Sequence, residues 1–404
     1  MLRAAAIVAL ACTLLPPLAL AQERSVVMTR GVSMGGAGPS RLSLESVERY
    51  AGYLELDETQ RDIARTLFED FRSGRVAADD AFRAAIERVR EDMDEGQIEH
   101  LLGRMAEVSD ARASAINELE SMLLGDLRAM LTPEQDERWP RVERRYRRDK
   151  SLGEASRALA RVDIEDLLHE VHPDAAGDSD AAEILRQWEL RVDAALQERA
   201  RRAEAIEEPE GDMLIMLAVD DGADDPFAQL RAIDARIEAS GESTLRALAG
   251  VLGDEPAAAL RTAWLERGFP RVYRPTSAER RLEAALAIED LDDAQRSDLV
   301  ALRDRHVHEA DAIRATWVAG EREEEAESTM PPGVQIHFVG EGEEETARSR
   351  AGDSLAGLDR RIEDRLAAIL SAAQLEGLPA ADNEPAPGVF VPQISGSRGV
   401  RIGG

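Results

Sequence analysis

One device recurs four times in this chain of 404 residues: a leucine, a short polar residue able to cap a helix, and a glutamine three positions after the cap. The copies are Leu56-Asp57-Glu58-Thr59-Gln60, Leu131-Thr132-Pro133-Glu134-Gln135, Leu291-Asp292-Asp293-Ala294-Gln295 and Leu370-Ser371-Ala372-Ala373-Gln374. The capping oxygen accepts the N–H of the third helical residue and the glutamine reaches back to the N–H of the cap, so each copy fixes a helix start. Pro133 suits the first helical position, where its missing N–H costs nothing. Glu134 adds a negative charge at the positive end of the helix dipole. Leu252-Gly253-Asp254-Glu255-Pro256 is a weaker relative, and Trp139-Pro140-Arg141-Val142 is echoed by Phe269-Pro270-Arg271-Val272.

Between the boxes the apolar residues keep a spacing of three to four. Leu54, Leu56, Ile63, Leu67 and Phe71 mark one helix; Phe82, Ile86, Val89 and Met93 continue after a break expected at Ser73-Gly74. Ile98, Leu102, Met105, Ile116, Leu119, Leu123, Leu127 and Met130 mark the return. A helix of about 35 residues reaches about 50 Å, too long to bury its seam except against another helix. The expectation is an all-α chain of long antiparallel helical hairpins in about three divergent repeats, at 42–150, 151–275 and 276–380. Each ends in L-x-x-x-L (Leu127/Leu131, Leu248/Leu252, Leu366/Leu370). The middle unit is the most degenerate, its opening helix placed from Asp180 through Ile184, Trp188, Val192 and Leu196. Aromatic residues at 4% agree with aliphatic helical seams.

Two acidic insertions, 204–226 and 321–345, bracket the short apolar pieces Met213–Val219 and Val334–Val339. These read either as strands that pair or as loop among acidic residues. Residues 22–41 read as a flexible lead, and 381–404, rich in Pro and Gly, as a disordered tail.

Met1-Leu2-Arg3, the apolar run Ala4–Leu20 and the A-x-A site Ala19-Leu20-Ala21 form an export signal at 1–21, with cleavage expected before Gln22. The location implied is periplasmic or secreted. No later segment is apolar enough for stable membrane insertion. The one cysteine, Cys12, lies in the signal, so the mature chain has no disulfide and no thiolate metal site. A net charge of −30 argues against nucleic acid as a partner and leaves loose divalent cations as one.

The pair of motifs "LELDETQRDIARTLF" and "RAMLTPEQDERW", in that order behind an export signal, resembles the Spy/CpxP-like LTxxQ family of periplasmic helical proteins. The match is best over 42–150, weak in the third unit and barely visible in the second. The resemblance implies a cradle of helical hairpins, a homodimeric state, and an ATP-independent chaperone or envelope-stress factor whose partners are unfolded or envelope polypeptides. The chain departs from it in length and in its acidic charge.

No catalytic constellation, resident metal or cofactor is read from these residues, so no enzyme is expected. Gly31-Val32-Ser33-Met34-Gly35 matches a nucleophile elbow formally, but it lacks the strand before and the helix after that the motif needs. His169/His172 and His306/His308 are the only close histidines, and zinc there needs further ligands such as Glu165, Asp166 or Glu309. Residues 172–183 lack the register of a calcium loop. Two arginine stripes beside aromatics are the candidate partner contacts: Arg138, Trp139, Arg141, Arg145, Tyr146 and Arg148, then Trp264, Arg267, Arg271 and Tyr273. They bind anionic or unfolded polypeptide, or else they pair with the chain's own carboxylates where units meet. The eight box residues Asp57, Gln60, Thr132, Gln135, Asp292, Gln295, Ser371 and Gln374 are read as structural.

Overall fold

The computed structural model describes residues 25–27, 42–91, 98–207, 227–327, 337–339 and 347–380. It divides into a small part, residues 1–30 and 335–346, and a large part made of 31–334 and 347–404. The described residues of the small part are two strands, β1 (Ser25–Val27) and β2 (His337–Val339), paired antiparallel with Val26 opposite Phe338. One expectation changes: the lead 22–41 contains a strand, whose Val26 and Val27 are β-branched residues suited to one, and His337–Val339 of the second apolar piece pairs with it. Met213–Val219, the export signal, Gly31–Gly35 and the tail 381–404 lie outside the described residues.

The described residues of the large part are all-helical. In order they are α1 (Leu44–Tyr53), α2 (Glu58–Glu91), α3 (Ile98–Ala129), α4 (Pro133–Asp136), α5 (Trp139–Ser151), α6 (Ile164–Val171), α7 (Ser179–Glu207), α8 (Ala228–Leu252), α9 (Asp254–Gly268), α10 (Pro270–Tyr273), α11 (Ser277–Leu286), α12 (Asp293–Glu327), α13 (Ala347–Ile369) and α14 (Ala372–Glu376). Short 3-10 turns at Leu152–Glu154 and Leu159–Arg161 lead into α6. None of the described helices is long and apolar enough to cross a membrane.

All four boxes start helices. Asp57 and Thr132 accept the N–H of Gln60 and Gln135 at 2.8 and 3.3 Å, and Asp292 and Ser371 do the same for Gln295 and Gln374 at 2.7 and 3.3 Å. The boxes also meet in pairs. Gln60 Nε2 donates to Gln135 Oε1 at 2.9 Å and to the Met130 carbonyl at 3.1 Å. Gln295 Nε2 repeats this with Gln374 Oε1 at 3.1 Å and the Ile369 carbonyl at 2.9 Å. The start of α2 therefore lies beside the end of α3, and the start of α12 beside the end of α13. The first glutamine of each pair thus serves a carbonyl at the end of the neighbouring helix, where intrahelical donors run out. Thr132→Ala, which removes a local cap, should cost about 1 kcal/mol in urea unfolding. Gln60→Ala removes a cap arm and strands the Met130 carbonyl as well, so about 2 kcal/mol is expected; a loss no larger than that of Thr132→Ala would mean the cross-helix bond is idle.

Several boundaries differ from the sequence reading. The Ser73-Gly74 break is absent, since α2 runs through it. A Cβ on Gly74 would stand 2.7 Å from Leu119 Cδ2 on α3, so the glycine permits close helix approach instead of ending a helix. Both acidic insertions begin as helix, α7 reaching Glu207 and α12 reaching Glu327, in keeping with the helix propensity of Glu, Ala and Arg. Leu252–Pro256 is a bend and not a capping box. Gly253 has φ +83°, and no side chain caps the next helix.

Three apolar clusters hold the helices. Leu54, Phe68, Phe71, Leu123, Leu127, Trp139 and Val142 form the first. Leu282, Leu299, Ile362 and Leu366 form the last. The middle one joins Trp188, Ile237, Leu248 and Trp264 to Trp317, Ala351 and Leu355 of α12 and α13, so the core runs across the boundary expected at 275. Phe269 and Val272 are buried there as Trp139 and Val142 are in the first cluster.

Candidate functional site

Part of the arginine stripe of α5, Arg145 and Arg148, faces inward. Trp139 and Val142 bury one edge of this helix in the first core, and Arg145 and Arg148 lie on a second edge against α6 and α7. Arg148 has no exposed side-chain surface. Its Nε donates to Asp163 Oδ2 at 3.0 Å, its Nη2 to Glu165 Oε2 at 2.5 Å, and its guanidinium lies over the Trp188 ring, 5.3 Å from the centroid. Arg145 reaches Asp149 at 2.8 Å, Asp166 at 2.6 Å and Asp163 at 3.3 Å. Arg144 binds Glu189 at 2.6 Å and Arg147 binds Asp193 at 2.7 Å, both carboxylates belonging to α7. Arg49 of α1 pairs with Asp166.

Tyrosines close the network from α1. Tyr50 donates to Asp149 Oδ2 at 2.9 Å and Tyr53 to Glu165 Oε1 at 2.6 Å, while Arg141 stacks 4.0 Å from the centroid of the Tyr53 ring. Burial, then the adjoining carboxylates, push both phenols well above their ordinary value, so both stay donors. Asp163 has two tasks: Oδ1 caps α6 through the N–H groups of Glu165 and Asp166 at 2.9 and 3.2 Å, and Oδ2 holds Arg148. Burial raises its carboxyl, but Arg145 and Arg148 outweigh that and hold it below the usual range. Asp149 is the reverse case, pushed up by burial against the pull of Arg145.

Each proposed contact residue can now be located. Trp139, Arg145, Arg148 and Trp264 are buried, which removes them as surface contacts; on α5 it is the packing against α6 and α7 that turns the two arginines inward. Tyr146 is half-buried, donating to Glu120 at 2.6 Å. Tyr273 is half-buried beneath Arg314, 5.8 Å from its ring centroid. Arg138, Arg141, Arg267 and Arg271 are exposed. Of these, Arg138 pairs with Glu55 at 2.6 Å, Arg141 with Glu165 at 3.3 Å, and Arg267 with Glu170. The carboxylates that receive the stripe, Asp163, Glu165, Glu189 and Asp193, are residues the sequence reading did not connect to it. Their signal is an acid inside an apolar seam: Glu165 beside Ile164 and Leu167, and Glu189 and Asp193 between Trp188, Val192 and Leu196.

The histidine pairs are not brought together as ligands. His306 is buried with Nε2 3.1 Å from Glu279 Oε1, and His308 is exposed. Among the described residues, no group of three or more His, Asp or Glu side chains is arranged to hold a metal ion. What the α5 network does chemically is to clamp α1, α5, α6 and α7 through charge-assisted bonds.

No protein family matches the chain, and neither a curated protein nor a solved structure matches it.

Proposed function

We propose that this chain is an exported, non-enzymatic helical protein of three divergent hairpin units, α2/α3, α7/α8 and α12/α13, that holds polypeptide of the cell envelope against apolar helix faces. The observation that carries this reading is the division of side chains on α2 and α3. Ile63, Val76, Met105 and Met122 stand out to solvent, Met122 at 57%, while Arg145 and Arg148 of α5, which could have offered cationic contacts, are buried in internal ion pairs. The flexible thioether of methionine adapts to varied apolar partners, and exposed aliphatic residues on a helix pair give unfolded chain somewhere to dock. The paired boxes of α2/α3 and α12/α13 support the hairpin reading, and the LTxxQ resemblance rests on those motifs alone.

The test is light scattering of an aggregating client with the mature protein at several-fold molar excess. Suppression is expected, with Val76→Asp plus Met122→Asp reducing it while unfolding stability stays within about 1 kcal/mol, as for exposed positions. No suppression by the unaltered protein sinks the holdase reading. A second reading, a structural envelope component whose acidic surface binds cations, is favoured by the net charge of −30. A rise in melting temperature with calcium or zinc supports it.

A further inference from the structure

We infer that residues 42–151 form an arm hinged where α5 ends, at Ser151-Leu152, and clasped to the rest of the molecule by a layer of ion pairs, so that acid frees the arm while the apolar cores on both sides stay folded. The middle core is joined to its two neighbours in different ways. Toward the last unit the join is apolar: α12 and α13 run through both clusters, giving Trp317, Ala351 and Leu355 to the middle one and Leu299, Leu302 and Leu366 to the last. Toward the first unit no residue is shared. The first cluster ends at Val142, the middle one begins at Leu152, and the chain that follows is pinned there by Ala155, Leu159 and Val162. A bend that keeps both cores intact therefore falls at Ser151-Leu152.

What crosses between the two cores is charge. The arm presents Arg49 on α1 and Arg141, Arg144, Arg145, Arg147 and Arg148 on α5. Receiving them are Asp163, Glu165 and Asp166 at the start of α6 and Glu189 and Asp193 on α7. Asp149 of the arm lies in the same layer, bound by Arg145 at 2.8 Å and by the Tyr50 hydroxyl at 2.9 Å, and Tyr53 donates to Glu165 at 2.6 Å. The layer is thus balanced only while its carboxylates are ionised. Arginine keeps its charge in acid, whereas carboxylates discharge below about pH 4. Acid therefore leaves a set of guanidiniums without counter-charge, Arg145 and Arg148 among them almost wholly covered, and an unpaired buried charge is strongly unfavourable. Parting of the layer returns them to water. The apolar join at α12 and α13 has no such dependence on charge. Against its burial, Arg145 and Arg148 hold the Asp163 carboxyl below the usual range, so its contribution to closure is present at neutral pH and lost as pH falls through the lowered value. Asp149, raised by burial, opposes this.

Spin-label distances test the arm. Cys12→Ser removes the one thiol of the chain, and label pairs are then placed at exposed positions. Ser114→Cys with Ala247→Cys spans the layer from α3 to α8, and Ala247→Cys with Ser354→Cys spans the apolar join from α8 to α13. Distances and far-ultraviolet helical signal are read in steps from about pH 7 to about pH 3. The first pair should go from a narrow to a broad, longer distribution, while the second stays narrow and helical signal is kept. An unchanged first pair overturns the proposal. So does broadening of both pairs together, or of the first only as helical signal is lost, because the cores then melt before the layer parts. Glu189→Gln with Asp193→Asn, neutral amides of nearly the same shape, reproduces part of the discharged layer and should move the opening of the first pair to higher pH. An unchanged midpoint overturns the proposal as well; if this variant loses helical signal at pH 7, the two label pairs in the otherwise unaltered chain decide alone. Client binding does not enter the measurement.

Discussion

Arg148→Ala should destabilise the protein by about 3–5 kcal/mol in urea unfolding at neutral pH, the cost of removing one partner from a buried ion-pair group. The side chain is wholly covered and contacts Asp163, Glu165 and, at 3.8 Å, Glu189. Removing it leaves three carboxylates without their shared cation, in a setting where burial already works against ionisation. Arg148→Lys should recover only part of the loss, since an ammonium lacks the planar fork that reaches two carboxylates and stacks on Trp188. Arg138→Ala is the control. Its pair with Glu55 is exposed on both sides, and such pairs contribute about 0–1 kcal/mol. If Arg148→Ala costs no more than Arg138→Ala, the network is not what joins α5 to α6 and α7.

That contrast separates what the sequence encodes locally from what it does not. A capping box is complete within four residues, so all four helix starts were readable, as were the apolar seams around Phe71, Leu127, Trp188 and Leu366. The partner of each box was not. Gln60 meets Gln135 only because α2 and α3 fold back over about 50 Å of helix, and nothing near Gln60 names Gln135. The arginines failed for a related reason. Arg138 and Arg148 look alike as a charge run, and which one is buried depends on α6 and α7, helices supplied by later sequence. The Ser73-Gly74 misreading is the same error in small. Glycine is read as a breaker by its propensity, whereas here it is held in the helix by the close approach of Leu119.

The junction of α11, α12 and α13 gives the second large effect. Glu279 is the third helical residue of α11, and its Oε2 accepts the N–H of its cap, Thr276, at 2.8 Å. Its two carboxylate oxygens also take Arg314 Nη2 at 2.8 Å each, and Oε1 lies 3.1 Å from His306 Nε2. Burial raises the carboxyl, but the His306 hydrogen bond, the Thr276 N–H and Arg314 together bring it down to about 2 from 4.5. A depressed carboxyl contributes stability that is present above its unfolded value and is lost as pH falls through the folded one, here between about 4.5 and 2. The size follows from the shift, about 3 kcal/mol at 1.36 kcal/mol per unit, with little screening because Glu279 is 17% exposed. Asp359 works the other way, its carboxyl raised by burial although Thr276 Oγ1 donates to it at 3.0 Å. The stability gap between wild type and Glu279→Gln isolates the contribution, because every other carboxylate titrates in both proteins. In urea unfolding that gap should be about 3 kcal/mol at pH 6 and shrink to under about 1 kcal/mol near pH 2. A gap that does not change with pH would mean that the substitution acts through shape alone, and that the charge of Glu279 does not hold α11 to α12.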